Sequence, residues 1–265
     1  MSTSSVIALL TDFGSADSYV AEMKAAMLSV NPELKFIDIS HSVPPGDIRQ
    51  AAYYLWRSHR FFPAGTIFLS VVDPGVGSER RIVAIESGNY LFVAPDNGLL
   101  SMIVARNDYT AYEISNTQYM LVEGGSTFEG RDVMAPVSAY ISLGVDIEAI
   151  GNAIDKIETF EVASPSCSDD KIAGEVLSID NFGNAITNIP GDDLEAAGDQ
   201  RFLRVLAGGK DIGSIHKTFD SVPTGETVAY IGSCGLLEIG INRGHFAKKS
   251  EITIGSTIEV VRHEH

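Results

Sequence analysis

Short apolar runs alternate with stretches of helical spacing through residue 155. Val6-Ile-Ala-Leu-Leu10 is a continuous apolar run that ends in Thr11-Asp12-Phe13-Gly14. That pattern predicts a buried strand followed by a loop. Tyr19 to Val30 carries Val20, Met23, Ala26, Met27 and Val30 at helical spacing, and Asn31-Pro32 stops it. Phe36–Ser40 predicts a second strand, and Asp47 is placed to N-cap a helix running through Ser58. Pro63-Ala-Gly65 turns the chain into a strand, Thr66–Val72, which enters Asp73-Pro-Gly-Val-Gly77. Arg81–Glu86 and Tyr90–Ala94 read as strands around Ser87-Gly-Asn89. Asp132–Leu143 is the last clear helix, ended by Gly144.

This alternation argues an α/β domain with a mostly parallel sheet over residues 1–155. Right-handed crossovers set the loops after the strands on one edge of that sheet. Those loops carry Asp12, Asp73 and Asp96. Ligands bind at the carboxyl ends of strands in open α/β sheets, so the three aspartates are functional candidates by position. Residues 156–171 turn polar and read as a linker. Beyond it the helical spacing vanishes. Gly174–Ile179, Ala185–Ile189, Phe202–Leu206, Thr227–Ile231, Leu236–Ile241 and Thr257–Val261 are short segments punctuated by Gly, Pro and Asp. They predict a smaller all-β, barrel-like domain over residues 172–265.

Charge narrows the partners. The chain has 35 acidic and 19 Lys or Arg residues, a net charge of −16. Phosphate backbones and anionic lipid would repel it, so no nucleic acid and no membrane are expected as partners. The two cysteines, Cys167 and Cys234, form no CxxC pair, and no metal site is expected. The N-terminus has no basic region before its short apolar run, so the expected location is the cytoplasm. No GxGxxG opens a helix after the first strand, and Walker A, G-x-S-x-G and H-E-x-x-H are absent. No cofactor is expected.

What remains are polar residues set in glycine-rich loops. They are Thr11–Gly14 with Asp17, Asp73–Gly77 with Arg80, Pro95–Gly98, Thr127–Asp132 and Asp180–Asn184. Asp and Asn beside Gly form turns on their own account, and that reading stays open for each segment taken singly. Asp73 and Arg80 could be a structural ion pair. Asp132 could cap the helix it begins. Glu238 could face solvent from an alternating strand.

Taken together, the loops carry a resemblance. L-L-T-D-F-G-x-x-D-x-Y-V-x-x-M-K (Leu9–Lys24), I-S-H-x-V-P-P-x-D-I (Ile39–Ile48) and D-P-G-V-G-S-x-R-R (Asp73–Arg81) come first. A-P-D-N-G-L-L (Ala94–Leu100), T-F-x-G-R-D (Thr127–Asp132), I-D-N-F-G-N-x-x-T-N-I (Ile179–Ile189) and G-S-x-G-x-L-E-I-x-x-N (Gly232–Asn242) follow. In this order they resemble the S-adenosylmethionine hydroxide adenosyltransferase family, relatives of the fluorinase and chlorinase. The resemblance runs from Leu9 to about Lys249. It implies hydrolysis of S-adenosylmethionine to adenosine and methionine, by a homotrimer with its sites at subunit interfaces.

The resemblance also implies roles. Asp73 would hold or activate water, where the halogenating relatives carry tyrosine, and Arg80 would hold Asp73 and stabilise hydroxide. Asp12 would bind the ribose hydroxyls, with Asp17 supporting its loop. Asp180 and Ser233 would hold the methionine amine and carboxylate. Phe182 would stack on adenine, Asn184 would hydrogen-bond it, and Phe219 would form the other wall. Glu238 is counted with these substrate-binding candidates. Two positions depart from the relatives. The hydrolases usually read T-F-H-G-R-D, and here Glu129 stands in place of the histidine. A neutral imidazole donates and accepts, whereas a carboxylate only accepts. Turnover with an altered pH profile is expected, with Glu129 counted as catalytic. Gly46 stands where the fluorinase has a bulky aromatic, which argues against halide. The rival readings are a degenerate protein that binds S-adenosylmethionine or adenosine without turnover, and a metal-dependent phosphohydrolase built on Asp12, Asp73 and Asp96.

Overall fold

A strand covered on both faces needs apolar residues at every position, and the first strand has them. In the computed structural model β1 (Val6–Thr11) is buried on both sides. The structure describes residues 6–122, 127–168, 170–199 and 202–262; His263 and His265 lie outside them. Ile7 and Leu9 enter one core, and Ala8 and Leu10 enter another. After β1 come α1 (Tyr19–Val30), β2 (Lys35–Ser40), α2 (Ile48–His59), β3 (Ile67–Val71), β4 (Ile82–Ser87), β5 (Tyr90–Pro95), α3 (Ser101–Val104) and β6 (Tyr109–Ile114). A π-helical turn, Gly130–Met134, leads into α4 (Ala135–Ser142), and β7 (Gly151–Ile154) closes the series. Met23 and Met27 of α1 and Val137 and Ile141 of α4 cover the first face. Ala51 and Leu55 of α2 and Ile103 of α3 cover the second. Asp47 caps α2, its Oδ1 accepting from the Gln50 amide at 3.0 Å.

The sheet corrects one expectation. Its strand order is β2-β1-β3-β5-β4-β6-β7. β2, β1, β3 and β5 are parallel neighbours, whereas the β5–β4, β4–β6 and β6–β7 pairs are antiparallel. The sheet is therefore mixed rather than mostly parallel. The reason is local: β4 joins β5 through a tight turn at Gly88, and a connection that short admits only an antiparallel hairpin. The last helix is also shorter than its apolar spacing suggests, because the π-turn takes up Gly130–Met134.

The chain divides into two compact units, Met1–Val162 and Ala163–His265. The second contains β8 (Ser166–Cys167), β9 (Lys171–Ile179), β10 (Ala185–Pro190), α5 (Gly191–Ala196), β11 (Leu203–Ala207), β12 (Lys210–His216), β13 (Thr227–Ile231), β14 (Leu236–Ile241), α6 (Phe246–Ser250) and β15 (Thr257–Arg262). Order β10-β14-β13-β12-β11-β15-β9 is closed by a β9–β10 pairing, so seven strands form a barrel and β8 extends β9. Closure removes the free edges that so small a sheet would otherwise expose. The interior is aliphatic, with Val176, Ile189, Val205, Leu237, Ile239 and Val260 fully or almost fully buried.

His59, at the end of α2, ties stability to pH. Its Nδ1–H donates to the Trp56 carbonyl at 2.8 Å, and the ring packs edge-on to Phe68, Tyr90 and Phe92. Burial pushes the imidazole below its ordinary value of 6.5, outweighing hydrogen bonds to the Trp56 and Leu55 backbone. The unfolded chain therefore takes up a proton at this residue before the folded chain does. Stability is complete above 6.5 and declines as pH falls from there toward the folded value. A melting temperature that drops between about pH 7 and pH 5 in the wild type, and drops less in His59→Phe, is expected. Parallel curves for the two proteins would discount His59.

Candidate active site

Strand direction assembles the first cluster. Asp12 follows β1, His41 follows β2, Asp73 follows β3 and Asp96 follows β5, so all four stand at the carboxyl edge of the parallel strands. β4 runs the other way and starts at that edge, which returns Arg80 and Arg81 to it.

Asp73 and Arg80 close a fork. Arg80 Nε donates to Asp73 Oδ1 at 2.8 Å, and its Nη2 donates to Asp73 Oδ2. The same Nη2 donates to Glu129 Oε2, and the Gly75 amide donates to Asp73 Oδ1 at 3.2 Å. The three side chains are only 5% (Asp73), 10% (Arg80) and 13% (Glu129) exposed. Burial alone would weaken the Arg80 charge, but hydrogen bonds and attraction from Asp73, then from Glu129, hold its pKa above the ordinary arginine value. Arg80 Nη1 is buried without a protein partner among the described residues. The cluster thus has one spare donor nitrogen with two N–H groups, acceptor lone pairs on two carboxylates, and a formal charge of −1 from two carboxylates and one guanidinium. Gly130, next to Glu129, packs closely: a Cβ there would stand 3.3 Å from the Phe128 ring and 3.4 Å from Met23 Sδ and Val71 Cγ1.

The neighbouring side chains have settled tasks. Asp12 Oδ2 accepts from the Gly46 amide at 2.8 Å. Asp17 is exposed on the segment leading into α1. Asp96 is buried, accepts from Arg81 Nε at 2.9 Å and from the Glu158 amide at 2.6 Å, and so braces the edge. Asp132 lies inside the π-turn rather than at the N-cap of a helix, and it takes two hydrogen bonds from Arg131, at 2.7 and 2.9 Å. Among the described residues no group of three or more His, Cys, Asp or Glu is arranged to hold a metal ion, and no helix is long and apolar enough to cross a membrane.

The second cluster lies in the barrel unit. A cleft of about 490 Å³ is lined by Phe182, Asn184, Phe219, Ile241 and the Asn242–His245 turn. It brings together three of the residues singled out in the sequence. Phe182 is 74% exposed, a large ring standing at the rim of the cleft. Asp180 shapes the loop beneath it: Oδ1 accepts from the Phe182 and Asn184 amides, and Oδ2 from Asn184 Nδ2, each at 2.9 Å. Three of its lone-pair sites are therefore spent on the loop. Phe219 packs on Tyr230 with ring centroids 4.6 Å apart. Gly240 leaves the room that Asn184 and Phe219 occupy, since a Cβ there would meet Asn184 Oδ1 at 2.4 Å and Phe219 at 2.8 Å. Ser233 is exposed in the turn between β13 and β14.

Glu238 does not face solvent. It is 5% exposed, accepts from the Tyr230 hydroxyl at 2.7 Å, and lies 3.7 Å from Cys234 Sγ. Tyr230 stands directly opposite it on β13, and Gly232 leaves the room its carboxylate occupies. Sequence reasoning missed Arg243, Gly244 and His245 in the cleft, and His41 at the sheet edge. His41 lies inside the Ile39–Ile48 motif, and Asn242-Arg-Gly directly follows a predicted strand, so turn chemistry was the available signal.

Comparison with known proteins bears on both clusters. Residues 7–151 match the model described as SAM hydroxide adenosyltransferase N-terminal domain, and residues 174–259 match the C-terminal domain of the same family. An (R)-S-adenosyl-L-methionine hydrolase of Thermus thermophilus is 39% identical, over 89% of this chain and 91% of the relative. A fluorinase of Actinoplanes sp. is 33% identical over 97% of each. The crystal structure of an uncharacterized conserved protein from Thermotoga maritima superposes with a TM-score of 0.91 at 36% identity, covering 97% of this chain and all of that one.

Proposed function

Because the chain belongs to the SAM hydroxide adenosyltransferase family, we propose that it hydrolyses S-adenosylmethionine to adenosine and L-methionine. The observation that carries this reading is the buried Asp73–Arg80–Glu129 contact at the carboxyl edge of the sheet. The sulfonium already makes the ribose C5′ electrophilic. Water therefore needs only orientation and a place for its proton. Asp73 accepts that proton, the oxygen attacks C5′ in line, the C5′–S bond breaks, and its electron pair stays on sulfur. The leaving group is a neutral thioether. Arg80 Nη1, the spare donor, is suited to the developing hydroxide.

The remaining assignments follow the same reading. Asp12 and its loop, with Asp17, take the ribose. Phe182 and Phe219 hold adenine between them, and Asn184 reads its edge. Asp180, Ser233 and Glu238 serve the methionine end. Asp180 does so chiefly through the loop it holds. Water rather than halide is the nucleophile, since a carboxylate at Asp73 can take a proton that a halide does not bring. The working assembly is a homotrimer with sites at subunit interfaces, as the family resemblance implies. The setting is the cytoplasm, in keeping with two cysteines, Cys167 and Cys234, that are not joined in a disulfide.

The test uses purified protein and S-adenosylmethionine in 18O-water. Adenosine carrying 18O, with methionine in equal amount, is expected. Intact S-adenosylmethionine beside a rise in melting temperature would replace the hydrolase with a binding protein.

A further inference from the structure

Register between the first two strands is irregular. β1 and β2 pair Leu9 with Asp38 but Leu10 with Ser40, so one residue of β2 is skipped. Bulges of this kind are unusual in parallel pairs and re-aim the residues that follow. Here the skip brings His41, rather than Ser40, level with Thr11. His41 then grips the Thr11–Gly14 loop twice. Its carbonyl accepts from the Gly14 amide at 2.7 Å, and its Nδ1 lies 2.8 Å from Thr11 Oγ1. Thr11 Oγ1 in turn accepts from the Phe13 amide at 3.3 Å. Residues on both sides of Asp12 are thus anchored to one histidine.

That histidine is itself held. Nε2 lies 3.1 Å from Asp38 Oδ1, within ion-pair distance though off the line of a straight hydrogen bond. Asp38 Oδ2 accepts from Lys24 Nζ of α1 at 2.8 Å. The chain of contacts runs from a half-buried lysine through a carboxylate and an imidazole to a fully buried threonine beside Asp12. The loop after His41 supplies the last hold, the Gly46 amide on Asp12 Oδ2.

We propose that His41 is a positioning residue for ribose recognition: its ring, through Thr11, fixes the angle at which Asp12 meets the sugar hydroxyls, while the backbone hold on Gly14 persists in any side-chain variant. The proposal rests on the assignment of Asp12 to the ribose made above. Its chemical content is specific. Loosening His41 should weaken binding of a nucleoside that has both hydroxyls and leave one without them almost untouched.

Calorimetric titration with adenosine and with 2′,3′-dideoxyadenosine separates the cases. Wild type is expected to favour adenosine by about tenfold or more, the worth of hydrogen bonds to a charged acceptor. In His41→Ala and in Thr11→Val that preference should fall to about twofold or less. His41→Asn, whose side-chain amide reaches the place of Nδ1, should restore most of it. Thr11→Val keeps the volume of the threonine, so it tests the idea even where His41→Ala fails to fold. A preference that persists in folded His41→Ala or Thr11→Val would overturn the proposal, as would an equal loss of both nucleosides. A wild type that does not distinguish the two nucleosides would overturn the ribose assignment of Asp12, and His41 with it.

Discussion

Asp73→Asn is expected to lower kcat for adenosine formation by about two to four orders of magnitude, the usual worth of a positioned proton acceptor. KM should move little. The substitution keeps the shape of the side chain and an oxygen for Arg80 Nε, which now lies 2.8 Å from Oδ1. It also keeps an acceptor for the Gly75 amide. What it removes is the charge proposed to take a proton from water, together with the Oδ2 acceptor of Arg80 Nη2, where the amide would set donor against donor. Truncating one member of a buried ion pair costs about 3–5 kcal/mol when the partner is left uncompensated. Here Glu129 stays on Arg80 Nη2, so Arg80 is not stranded and the loss of stability should stay below that range. The structural alternative predicts the reverse pattern: a lower melting temperature with unchanged turnover per folded molecule. Measuring both quantities on one preparation separates the two.

The placement of Asp73 shows which parts of the site were legible in the sequence. A continuous apolar run followed by a polar, glycine-rich loop marks the end of a buried strand. That pattern alone puts Asp12 and Asp73 at the sheet edge. Strand direction was less legible. Ile82–Ser87 is almost wholly buried, and a strand buried on both faces carries the same apolar run whether parallel or antiparallel. The short turn at Gly88 was the better guide, and the consequence is functional. Because β4 runs antiparallel to β5, it begins at the edge where β3 ends, and the loop between them can fold Arg80 back onto Asp73. A parallel β4 would have required the chain to cross the length of the sheet first. Glu238 was unreadable for another reason. Alternation reports the two faces of a strand only when one of them meets water, and all six residues of β14 are buried. Its carboxylate is satisfied by Tyr230 across the strand pair, a partner eight residues earlier that no local pattern announces.

Arg80→Gln should be strongly destabilising. It leaves Asp73 and Glu129 as two mostly buried carboxylates with no cation between them. A cost of about 3–5 kcal/mol is expected, a fall in melting temperature on the order of 10 °C. Adding Glu129→Gln to Arg80→Gln removes one of the two like charges and should recover part of that loss. The same Glu129→Gln change in the wild-type background should be neutral or slightly destabilising, because Arg80 then loses a charged partner. This reversal of sign is a coupling within one network, where interaction energies of about 0.5–3 kcal/mol are usual. Additive effects in the cycle would show that Glu129 and Arg80 do not act on each other in solution. Activity supplies the second readout. Adenosine formation should stay near background in both Arg80→Gln proteins, even where stability returns. Glu129→Gln alone should turn over, with a pH profile unlike that of wild type, since it keeps an oxygen for Nη2 and leaves the Asp73 fork closed. A rate that is flat from about pH 6 to pH 9, and equal in the two proteins, would reduce Glu129 to a structural partner of the arginine.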